Sequence, residues 1–139
     1  MDDAGGLDRF IAAQDATYAQ AKDEVTRGRK TSHWMWFIFP QLRGLGRSLR
    51  AEYYGIADLD EATRYLAHPV LGLRLVEMFD TLLAHHPRAD PVDIFGKIDA
   101  AKLRSSATLF ARVPDAPIIF QRALDAYFDG PCPRTEALL

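Results

Sequence analysis

Residues able to do chemistry crowd into one stretch, RKTSHWMWFIFPQLRGLG, which runs from Arg29 to Gly46. His33 is the side chain there that can move a proton near neutral pH. Arg29, Lys30 and Arg47 can neutralise a phosphate or a carboxylate, and Trp34 or Trp36 can stack on a flat ring. If Ser32 caps a helix, the free amides beside His33 point outward and suit an anion. Gln41 follows Pro40 and is costly to bury without hydrogen bonds, so it either holds a loop or faces a ligand. From Val25 to Ala51 no Asp or Glu occurs, while Arg27, Arg29, Lys30, Arg43, Arg47 and Arg50 do. The stretch is thus basic in a chain whose formal net charge is -2.

A second constellation lies in KIDAAKLRSSATLF. On a helix, Lys102, Ser105 and Ser106 share a face at i, i+3 and i+4. Serine is a mediocre mid-helix residue, so a pair there suggests a role in the same anion site. Asp99, with Asp93 behind it, is the carboxylate nearest by motif that could steady a cationic transition state. Plainer roles stand beside each of these. Aromatic clusters usually form cores, arginine runs are often solvated faces, and helical serines pack closely or bond the i−4 carbonyl.

Other chemistries find little purchase. Cys132 is the single cysteine, which leaves no internal disulfide and no thiolate metal pair. His85 and His86 are neighbours near a helix end, where a cationic imidazole suits the helix dipole. No His, Asp and Glu set has metal-ligand spacing, and neither a Walker loop nor GxGxxG is present, so no metal and no cofactor are expected. The start lacks the basic and apolar regions of a signal peptide, and the longest apolar run is far too short to span a bilayer, which predicts a cytoplasmic protein.

The elements that must position these residues read as helices. With 139 residues, 48% hydrophobic and 26% charged, the chain suits one folded domain. Residues 1–6 read as a flexible tail and 7–139 as a single helical domain. Phe10, Ile11, Gln14, Tyr18, Ala21 and Val25 give a helical stripe from about Asp8 to Arg27, ended by Gly28. Ser32 would cap a short segment stopped by Pro40. Asp58 and Glu61 form a capping-box signal for a helix to about Ala67. Pro69 opens the next helix, with Leu71, Leu75, Met78, Phe79 and Leu82 inside. Asp90 and Pro91 begin a short turn closed by Gly96, and Asp99 caps a helix to about Arg112. PDAPIIFQRALDAYFDG carries the last strong helix, and Thr135 to Leu139 adds one turn. No segment alternates over the length of a strand, although two short strands fit between Ile38 and Gly46. The expectation is an all-α fold, an orthogonal array of about six helices with short connections.

GRKTSHWMWFIFPQLRGLGRS, YLAHPVLGLRL, IFGKIDAAKLRSSATLFA and FQRALDAYFDG resemble the bacterial domain-of-unknown-function family 1810, some members of which carry the label calpastatin. The resemblance covers about Leu7 to Leu139, and Ala107 replaces a methionine usual in SSMTLF. It implies a single all-helical domain and no particular activity. The calpastatin label finds no support, since inhibitory calpastatin segments are disordered. A looser likeness, by analogy and without a shared motif, is to helical N-glycosidases that act on ADP-ribose and riboflavin-pathway ribosyl ligands.

The expected function is a basic, aromatic-lined site for an anionic, nucleotide-like or ADP-ribose-like small molecule, with N-glycosidic hydrolysis as its reaction class. His33 would be the acid–base group and Asp99 the carboxylate. The alternative is a non-catalytic module that binds an acidic protein or single-stranded nucleic acid through the same surface. A third possibility makes the motif purely structural.

Overall fold

The computed structural model describes residues 6–139, and most of the expected tail lies outside them. Among the described residues nine helices form and no strand does. They are α1 (Asp8–Arg27), α2 (Met35–Ile38), α3 (Leu49–Tyr53), α4 (Leu59–Ala67), α5 (Leu71–His85), α6 (Pro91–Phe95), α7 (Lys97–Ala111), α8 (Ile119–Tyr127) and α9 (Pro133–Leu138). The fold is all-α. The excess over six comes from one-turn pieces such as α3 and α9, whose few residues carry little periodicity. In place of two strands there is one isolated parallel bridge, Leu42 to Ile56.

Helix ends follow local chemistry, with three corrections. Gly28 takes φ 80° after α1, its amide bonding Val25 O at 3.0 Å while the Arg29 amide bonds Glu24 O at 3.0 Å. That pair of bonds reverses the chain at once. Ser32 caps nothing; Trp34 stands at the N-cap of α2, and its side chain makes no capping bond. Asp99 is no cap either, because Gly96 precedes α7 and Asp99 falls in its first turn. Pro69 lies before α5, which starts at Leu71, and the His68 Nδ1 accepts the Val70 and Leu71 amides at 3.1 and 3.3 Å. An imidazole thereby does the work of a capping carboxylate.

α7 packs on α4, α6, α8 and α9, while α1 lies on α2 and α5. The core holds a chain of rings. Phe39 meets Phe79 edge-on at 5.0 Å, Phe79 meets Phe120 at 5.2 Å, Phe120 meets Phe110 at 5.7 Å and Phe110 meets Tyr65 at 5.3 Å. Such edge-on and tilted contacts add to the area the rings bury. Gln14, also buried, donates to Phe37 O at 2.7 Å and to the Tyr65 hydroxyl at 2.9 Å, which ties α1 to α2 and α4. α4 and α5 approach so closely at Gly72 that a Cβ there would meet Leu66 O at 2.1 Å.

Candidate functional site

The aromatic basic stretch divides between core and surface. Trp34, Met35, Phe37, Ile38 and Phe39 are buried, and Trp36 is half-buried at the edge. The reversal at Gly28 carries residues 31–34 back over α1, onto Glu24. The Glu24 carboxylate, itself buried, accepts from the amides of Thr31 and Ser32 at 2.8 and 3.0 Å, from the Ser32 hydroxyl at 2.6 Å and from the Trp34 indole at 3.0 Å. Burial alone would raise its pKa, yet these donors outweigh it and hold the group at about 2. Ser32 and Trp34 are thus spent on an internal carboxylate, and Trp34 offers no face to a ligand. Glu24, at the border of the basic stretch, is the acid that organises it.

Lys30 is turned inward as well. Its Nζ lies 2.9 Å from Asp99 Oδ2 and 5.0 Å from the centre of the Trp34 ring. Asp99 Oδ1 lies 3.4 Å from Lys102 Nζ, so one carboxylate stands between two lysines and joins the stretch to α7. Lys102 and Arg50 each sit 5.0 Å from the Trp36 ring centre. Trp36 therefore already carries two cations. His33, Arg29 and Arg47 are exposed and lie outside the groove described next.

A groove of about 820 Å³ opens where α7, the Gln41–Gly46 loop and the start of α9 meet. Gln41, Lys102 and Ser105, three of the residues singled out by sequence, line it. Ser106 does not: it is wholly buried and its hydroxyl has no partner. The Ser105 hydroxyl donates to Ala101 O at 3.1 Å and lies 3.5 Å from Cys132 Sγ. Lys97, Arg104 and Arg134 add three cations that sequence reasoning missed, and Leu45, Ile98 and Pro133 add apolar surface. Arg104 bonds the carbonyl of Gly130 at 2.9 Å and lies 5.9 Å from the Phe128 ring centre, and Arg134 bonds the carbonyl of Leu45 at 3.4 Å. Among the described residues no carboxylate lines the groove.

Cys132 also lies in this wall, its amide held at 2.8 Å by the Thr108 hydroxyl, which in turn donates to Arg104 O. Burial works to raise the thiol pKa, but the Ser105 hydroxyl and the Arg134 and Thr135 amides bring it below its ordinary value. Lys97, Ile98, Ala101, Lys102 and Ser105 recur at helical spacing, a signal legible beforehand. Nothing in the sequence places Arg134 across from Leu45.

Residues 4–139 match the family model described as protein of unknown function DUF1810. The fold is similar to the crystal structure of the conserved hypothetical protein Rv1873 from Mycobacterium tuberculosis. The two share 46% identity and a TM-score of 0.94, over 99% of this chain and 98% of that one. No curated protein matches. Among the described residues no helix is long and apolar enough to cross a membrane.

Proposed function

We propose, for a chain that belongs to the DUF1810 family of proteins of unknown function, that the groove beside α7 binds an anionic small molecule of nucleotide size. The supporting observation is the charge of the wall: Lys97, Lys102, Arg104 and Arg134 line a volume that, among the described residues, no carboxylate lines. A phosphate answers such a cluster, and Leu45 and Ile98 give an apolar base somewhere to rest. N-glycosidic hydrolysis has less behind it. That chemistry wants a carboxylate beside the reacting carbon, whereas Asp99 is held by two lysines and His33 lies outside the groove. Binding without turnover is the stronger reading.

The test is thermal shift and calorimetry with AMP, ADP, ADP-ribose and ribose 5-phosphate against adenosine. Stabilisation by a phosphorylated ligand, absent with adenosine and lost in both Lys102→Ala and Arg134→Ala, supports the groove. Absence of any shift, or a shift indifferent to both substitutions, sinks it.

A further inference from the structure

The groove does not end at Lys102. Trp36, Gln41, Tyr54 and Lys102 border a slot of about 10 Å³, room for about one water, which shares Gln41 and Lys102 with the groove. Beyond it lies a second hollow of about 640 Å³, lined by Arg43, Leu49, Arg50, Glu52, Tyr53 and Tyr54, which shares Tyr54 with the slot. Arg50, over the Trp36 ring at 5.0 Å, also spans the two. We infer that groove and hollow, side by side across this slot, form one track over the surface, and that its ligand is a short single strand of nucleic acid. This rests on the anion-binding reading of the groove and deepens it.

Charge is the first argument. Among the described residues six cations line the three parts, Arg43, Arg50, Lys97, Lys102, Arg104 and Arg134, against the lining carboxylate of Glu52 and that of Asp99, which pairs with Lys102. A chain with a formal net charge of -2 concentrates them on one track. One or two phosphates of a mononucleotide cannot engage cations spread over two hollows, but a strand with a phosphate at every residue can. The second argument is the surface between the charges. Tyr53 is 58% exposed and Leu49 89% exposed, an aromatic and an apolar side chain left bare in the hollow. Tyr53 stands edge-on to Tyr54 at 4.8 Å, which steadies its ring as a stacking platform. Cations that follow a backbone, with aromatic rings beside them, are how single strands are held without sequence readout.

The experiment is fluorescence anisotropy with end-labelled thymidine and uridine strands of about 12 nucleotides, at about 50 and about 200 mM salt, with ADP binding measured in parallel. The strands should bind, with log affinity falling by about 0.7 per phosphate engaged for each unit of log salt. Tyr53→Ala and Arg50→Ala should weaken strand binding about 5-fold or more and leave ADP binding unchanged, with Tyr53→Phe restoring it. Lys102→Ala should impair both. ADP binding without strand binding overturns this inference and leaves the groove reading standing. Loss of both ligands in wild type removes both. Strand binding indifferent to Tyr53→Ala and Arg50→Ala overturns the track, as does equal affinity for a poly-glutamate peptide of the same length.

Discussion

The Trp34 indole donates to Glu24 Oε1 at 3.0 Å, inside a turn that the same carboxylate closes through the Thr31 and Ser32 amides. One buried anion therefore fixes both the reversal after α1 and the seat of the largest ring in the core.

Its pKa makes this turn acid-sensitive. The Glu24 carboxyl is lowered from an ordinary 4.5 to about 2, so its contribution is complete above pH about 4.5 and fades as pH falls toward 2. The difference corresponds to roughly 3 kcal/mol. Glu24→Gln should cost about as much at neutral pH and flatten the pH dependence across that window. Urea unfolding from pH 2 to 7 measures both; an unchanged slope counts against the assignment.

The two tryptophans should differ. Trp34→Ala removes a wholly buried ring and leaves the carboxylate short of a donor, a loss of about 3–5 kcal/mol. Trp36 is only half-buried, and Trp36→Ala should cost clearly less. Thermal denaturation of the two variants decides the order.

Lys30 and Arg29 are neighbours with opposite fates. The Lys30 side chain is 9% exposed and is the nearer of the two lysines on Asp99, so Lys30→Ala should lose roughly 2 kcal/mol by leaving that carboxylate with Lys102 alone. Arg29→Ala, at an exposed site, should stay within about 0.5 kcal/mol of wild type. Chemical denaturation of both tests this, and equal losses would contradict the buried pairing.

Gly72→Ala should be the most damaging single methyl in the chain. Leu66 O stands 2.1 Å from where the Cβ would go, and backbone can yield only if α4 and α5 part. A loss of about 3 kcal/mol or more, or failure to fold, is expected. A variant with wild-type stability would mean that the two helices are not so closely seated.

The helical class, the stripe of α1, the caps at Asp58 and Asp90 and the stop at Gly28 are legible in the sequence, because these depend on residues within a turn or two. It also found the two polar clusters that Asp99 joins. It misjudged Ser32 and Asp99 as caps, since either residue type can accept amide bonds and only the neighbours choose. His86 was read against its own helix dipole. Its Nε2 instead lies 3.0 Å from Val25 O and from Thr26 O, at the end of α1. Which lysine is buried, which tryptophan is covered, and that Arg134 comes to face Lys102 across a groove were decided by tertiary structure alone. Those facts depend on how α1, α7 and α9 pack, and such contacts join residues far apart in the chain, where no local spacing reaches.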